Sequence, residues 1–184
     1  MINIDDNKLR AEYDKIKSYQ SYYETYGAPL VNEYAKELDN KVDSITIYLE
    51  QCRTYNLDFD VVSLQRMVME LSSTIYYTAS RLEQLEILAD MAKLSYKDKY
   101  NTAYTSRQGG ATVDRRKYTA DQLRAIADQE ALEEELVHFI YSHCADVLKT
   151  KIDAANELLK GVSKSLSAEI ASMQMTGYTA NKVG

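Results

Sequence analysis

The chain is predicted to be all-α, and three observations carry that reading. Its 184 residues include one proline and six glycines, so breakers are scarce and very long helices are allowed. Apolar residues recur at steps of three and four over tens of positions, the period of a helical face. The turn chemistry that a many-stranded sheet requires is missing. The length fits one domain with an added helical arm. The expected architecture is a long antiparallel helical hairpin, coiled-coil-like, over 56–175. A two-helix N-terminal arm precedes it over 1–55, and a flexible tail follows over 176–184.

The first helix is expected from Asp5 to Tyr26, with Asp5 and Asp6 favouring its N-terminal dipole. Gly27 and Pro29 should then break it. Pro29 suits the first turn of a second helix, which runs to about Thr54. Leu30, Tyr34, Leu38, Val42, Ile45, Leu49 and Cys52 mark its apolar face. Residues 55–59 read as a short loop, and Asp60 as the N-cap of a third helix reaching Thr105. The seam of that helix is Val61, Leu64, Val68, Leu71, Ile75, Thr78, Leu82, Leu85, Ala89, Ala92 and Tyr96, in alternating steps of three and four. About 45 residues of helix span roughly 65–70 Å, too long for a compact globule.

A turn should occupy Ser106–Tyr118, centred on Gly109-Gly110. Thr119 with Gln122 three positions on forms a capping-box pattern. A fourth helix then runs to about Met173 with a late stripe of Leu148, Ile152, Ala155, Leu159, Val162 and Leu166. Gly161 falls inside that stripe and reads as a close helix–helix contact or a mild kink. Long helices of this kind rarely bury both faces within one chain, so a homo-oligomer is expected.

Residues 93–124 are a basic island. Lys93, Lys97, Lys99, Arg107, Arg115, Arg116, Lys117 and Arg124 face only Asp98, Asp114 and Asp121, a net of +5 in a chain whose net is −6, so the remainder carries −11. The pI near 5.0 argues against generic DNA binding by the whole surface; any nucleic-acid site must be local. Tyr96, Tyr100 and Tyr104 follow one another at steps of four, beside Lys93 and Lys97. Single-stranded nucleic acid needs such a pairing, cations for phosphates and rings for bases. The plainer reading is a solvated or protein-facing basic turn.

Tyr13, Tyr19, Tyr22, Tyr23 and Tyr26 crowd the arm among both acids and lysines. Tyrosine is amphipathic and common at protein interfaces, so they read as a subunit or partner contact surface, or else as cover for a thin core.

Other chemistry is poorly supplied. Glu135-Leu-Val-His138 has the Glu-x-x-His spacing of a carboxylate di-iron bundle, but the motif is not repeated, and no metal or cofactor is expected. Cys52 and Cys144 lack metal or redox spacing and read as buried small hydrophobes in a reducing cytosol. Gly109-Gly110 lacks the spacing of a phosphate loop. Spacing defends no nucleophile–base pair, so the chain is not expected to be an enzyme. The N-terminus shows no basic region followed by an apolar one, and no apolar run approaches the roughly 18 residues needed to cross a bilayer, so a cytoplasmic protein with no membrane partner is expected.

Three segments between about residues 60 and 174 carry a resemblance. The first is the Lys/Tyr-rich end of a long helix running into a glycine-bearing connection, Lys93–Gly110. The second is an acidic restart, Ala127-Asp-Gln-Glu-Ala-Leu-Glu-Glu-Glu-Leu136. The third is a closing amphipathic stretch, Asp153-Ala-Ala-Asn-Glu-Leu-Leu-Lys-Gly-Val-Ser-Lys-Ser-Leu166. Together they resemble the UvsY-type recombination mediators of tailed phages. The resemblance implies a homo-oligomer that binds single-stranded DNA, helps displace the single-strand-binding protein and loads a RecA-like recombinase. It places the binding region on Lys93, Lys97, Lys99, Arg107, Arg115, Arg116 and Lys117. The function expected is therefore a non-enzymatic, phage-borne mediator of recombination or replication. The alternative is a structural or interaction protein without nucleic acid, such as a phage assembly factor or an inhibitor docking on a host defence complex.

Overall fold

The computed structural model describes residues 6–108 and 118–180, with side chains over 13–108 and 118–175. Every regular element among them is helical: α1 Asp6–Tyr22, a π-helical segment Tyr23–Gly27, α2 Ala28–Tyr55, α3 Val61–Gln108, α4 Ala120–Glu130 and α5 Leu132–Ala180. The long helices α3 and α5 pack against each other as a hairpin, as the seam spacing predicts. The chain divides into two compact units, Met1–Val31 with Glu83–Asp146, and Asn32–Leu82 with Val147–Gly184.

The second of these units is an aliphatic three-helix core. Leu38 and Ile45 of α2, Leu64 and Leu71 of α3, and Leu148 and Val162 of α5 are almost completely buried. Each buried side chain of this size contributes about 1.5–3 kcal/mol. Lys41–Glu70 at 2.6 Å and Lys151–Asp39 at 2.7 Å border the core. The Arg81 guanidinium donates to the Tyr34 carbonyl at 3.1 Å and covers the Tyr34 ring. Local rules set the ends here. Asn56 takes φ 50°, and Leu57 N–H closes onto the Cys52 carbonyl at 2.9 Å, a Schellman ending for α2. Asp60 then caps α3, its carboxylate accepting from Ser63 N–H at 2.9 Å.

The first unit packs more thinly, through alanines and aromatic edges. Ala89, Ala92 and Ala103 of α3 and Ala127 and Ala131 from the α4 side are buried, with Leu85, Leu123 and Leu136 as the larger members. The Thr119–Gln122 capping box starts α4 as expected.

Four local expectations are corrected. Gly27 and Pro29 do not break the chain's helical path. Ala28 N–H bonds to the Tyr23 carbonyl, five residues back, in a single wide turn. That widening shifts the carbonyls that the Pro29 ring would otherwise strike, so α1 continues into α2. The expected fourth helix is divided at Ala131, where φ is −99° and ψ is 6°. Leu123, Ala127 and Ala131 are buried at steps of four, but the next buried residue, Leu136, is five further on. An uninterrupted helix would turn it about 140° away from Ala131; the changed ψ resets the phase. Gly161 is exposed and a Cβ there would meet nothing within 4 Å, so it makes no close helix contact. α5 also continues past Met173 to Ala180.

Candidate nucleic-acid interface

The described part of the basic island occupies the last turns of α3 and the first turn of α4, in the first unit. The pairs His138–Ala89, Lys99–Glu134 and Arg107–Glu130 show the chain direction: as numbers rise along α3, their partners fall. The island therefore lies against the acidic restart of α4 and α5. Lys99 reaches Glu134 at 3.8 Å, Arg107 pairs with Glu130, and Arg124 pairs with Asp121 of its own helix at 3.6 Å. These cations are at least one-third exposed. Exposed pairs of this kind contribute about 0–1 kcal/mol each, so an incoming phosphate can compete for them. Lys93 and Lys97 are exposed and make no ion pair among the described residues. Arg115, Arg116 and Lys117 lie outside the described residues.

The tyrosine row forms as its spacing predicts. Tyr96 and Tyr100 have ring centroids 6.1 Å apart, and Tyr100 and Tyr104 lie nearly parallel at 6.4 Å and 13°. All three are half-buried, so each ring offers part of its surface. Burial, with Glu135 and Asp128 nearby, pushes the Tyr96 hydroxyl above the ordinary tyrosine range.

The arm tyrosines divide between the two readings given by the sequence. Tyr19 meets Phe139 edge-on at 4.7 Å, and Tyr23 meets His143 at 4.6 Å, both half-buried. Tyr13, Tyr22 and Tyr26 remain exposed. Two open grooves flank α1 where it lies on α5. One, of about 660 Å³, is lined by residues that include Tyr19, Tyr23, Glu135, Phe139, His143 and Asp146. The other, of about 430 Å³, is lined by Tyr22, Tyr26, Leu30, Val137, Ile140 and Tyr141.

The Glu-x-x-His motif is used structurally. Glu135 takes the Lys15 ammonium at 3.3 Å, and His138 Nδ1 donates to the Ala89 carbonyl at 3.0 Å. Lys15 loses some charge stability to burial, but the Glu135 hydrogen bond and neighbouring charges outweigh it and raise its pKa. Among the described residues no group of three or more His, Cys, Asp or Glu is placed to hold a metal, and no helix is long and apolar enough to cross a membrane. Cys52 and Cys144 are buried and unbonded to each other. Burial pushes the Cys144 thiol up to about 11.

Sequence reasoning missed an outward apolar stripe on α3. Ile87, Met91 and Leu94 are 59–62 % exposed, while Leu85, Ala89 and Ala92 are buried on the opposite face at the same steps of four and three. The signal was present as a second periodic stripe, out of phase with the first.

Protein-family models, curated proteins and solved structures give no match to this chain. Geometry alone therefore defines its class: among the described residues, a helical hairpin protein with lysines, an arginine and a tyrosine row near the end of α3.

Proposed function

We propose that the chain is a non-enzymatic single-stranded-DNA-binding protein acting as a recombination or replication mediator. One observation carries the reading. Lys99, Arg107 and Arg124, on the helices bordering the turn, are held only by exposed ion pairs, so their charge is available to phosphates at little cost. The intervening sequence adds three further cations, Arg115, Arg116 and Lys117. The partly exposed Tyr100 and Tyr104 rings supply stacking surface, worth roughly 1–3 kcal/mol per base. Several subunits presenting their turns together would sum weak sites, offsetting the acidic remainder of the chain. The resemblance to UvsY-type mediators adds the partners, a RecA-like recombinase and a single-strand-binding protein.

Fluorescence anisotropy of labelled single-stranded and duplex DNA across a salt series tests this. Single strands should bind preferentially, with affinity falling steeply as salt rises. Replacing Arg107, Arg115, Arg116 and Lys117 by alanine should reduce the salt slope by about 2–3, at roughly 0.7 per lost single-strand contact. No binding at low salt, or an unchanged variant, overturns the proposal.

A second reading has its own observation. The groove of Tyr22, Tyr26, Leu30, Val137 and Ile140 is largely apolar and open, as a protein-docking surface would be. A structural or interaction protein without nucleic acid would use that groove, and would bind its partner equally well with the turn cations removed.

A further inference from the structure

The tyrosine row at the end of α3 contains one ring pair unlike its neighbours. Tyr100 and Tyr104 are stacked, with planes 13° and centroids 6.4 Å apart. Four residues of helix rise about 6 Å, so the backbone itself sets most of that spacing. Successive stacked bases are about 3.4 Å apart, so a base lying between two rings needs them roughly 6.8 Å apart. A small side-chain adjustment supplies the difference. Other pairs do not offer this. Tyr96 and Tyr100 are tilted by 44°, and Tyr22 and Tyr26 by 32°, so one flat base cannot lie along both rings. Phe139 and His143 are parallel but only 5.8 Å apart, and Tyr19 and Tyr23 already meet them edge-on. Glu135 and Asp146 line the groove there, which disfavours a phosphate. Around Tyr100 and Tyr104 the charge is opposite. Lys97 stands three positions before Tyr100 and Arg107 three positions after Tyr104, each beside its tyrosine on the helix surface. Lys97 is exposed and forms no ion pair among the described residues. Arg107 is held only by its exposed pair with Glu130.

We infer that Tyr100 and Tyr104 form a clamp that takes one unpaired nucleobase between their rings, with Lys97 and Arg107 on the phosphates to either side. The inference rests on the single-strand reading of this end of α3 and adds how the site selects its strand. Phosphate contacts alone would hold single strands and duplex alike. A duplex base is fixed by its partner and cannot enter the clamp without unpairing. A base in a single strand gives up two stacked neighbours and regains two ring faces. Both rings are therefore needed, because one alone returns only half of what the base gives up.

Anisotropy of a labelled, mixed-sequence single strand of about 15 nucleotides, and of the matching duplex, tests this across a salt series. Tyr100→Leu and Tyr104→Leu keep apolar bulk and remove the π face. Each should weaken single-strand binding about five- to a hundredfold, with the salt slope and helical circular dichroism unchanged, because no phosphate contact is lost. Weak duplex binding should not change. Tyr100→Phe and Tyr104→Phe should bind as the wild type does. The double leucine variant should be little weaker than either single one, whereas two separate stacking sites would multiply the two losses. A 5-iododeoxyuridine in the strand should photocross-link to Tyr100 or Tyr104. Salt-sensitive single-strand binding that is indifferent to the leucine variants overturns the clamp and leaves the mediator reading standing. Losses that multiply, or that fall equally on the duplex, also overturn the clamp alone. A wild type that binds no single strand at low salt removes both.

Discussion

The unit around Leu71 and Leu148 and the unit around Gly27 draw on the same long helices but pack by different means. In the first, large aliphatic side chains meet in register and are almost wholly buried. In the second, alanines draw backbones together, aromatic edges fill the space beside them, and open grooves remain next to α1. Apolar burial scales with side-chain area, so the aliphatic unit carries the larger share of stability per contact. The thinner unit holds Lys99, Arg107 and Arg124, the grooves and the outward stripe. Surface left uncommitted to the core is what binding requires.

The largest effect should come from cutting the aliphatic unit. Leu71 is fully buried, and Leu71→Ala removes several methyl and methylene contacts and leaves a cavity. The expected loss is about 2–5 kcal/mol, read as a lower urea midpoint at unchanged slope. A loss under about 1 kcal/mol would mean that this unit collapses around the gap and is no better packed than the other.

Gly27→Ala probes the thin unit. A Cβ at this position would lie 2.5 Å from Tyr23 Cδ2 and 3.2 Å from Cys144 Sγ. Tyr23 is already set against His143, and the Cys144 thiol donates to the Gly27 carbonyl at 3.5 Å. Overpacking of this kind costs about 1–3 kcal/mol. The substitution should also disturb the Tyr23 environment, visible in near-ultraviolet circular dichroism. Wild-type stability with an unchanged aromatic signal would show that α1 shifts freely over α5.

Much of this contrast was legible in the sequence, for identifiable reasons. The α3 seam from Val61 to Tyr96 is buried or half-buried at every position, because a long period of three and four leaves few alternatives. Asp60, Thr119 and Gln122 cap as expected because capping depends on neighbours within one turn. Gly27 and Pro29 marked the right place but the wrong event. Breaker rules describe a local preference, and here a π turn relieves the proline without ending the helix. The site was legible only in composition. Spacing located the cations and the tyrosine row, but the carboxylates paired with Lys99 and Arg107 are 35 and 23 positions further along the chain. No periodicity reports which acidic face a basic one will meet. The outward stripe of Ile87, Met91 and Leu94 was hidden by the stronger inner one.

The smallest predicted effect has the opposite sign and compares two glycines in helical paths. Gly161 lies in the α5 part of the aliphatic unit, is exposed, and has nothing within 4 Å of where a Cβ would stand. Glycine there provides no close approach and costs backbone entropy, so Gly161→Ala should stabilise the protein by about 0.5–1 kcal/mol. The two glycine variants would then differ in sign although both fall in apolar-periodic helical sequence. The difference arises in packing: Gly27 lies under Tyr23 and Cys144, whereas Gly161 faces open space. If Gly161→Ala instead destabilises the chain, and does so more strongly as protein concentration rises, that face of α5 is covered in an assembly. A contact between copies would then have to be sought there.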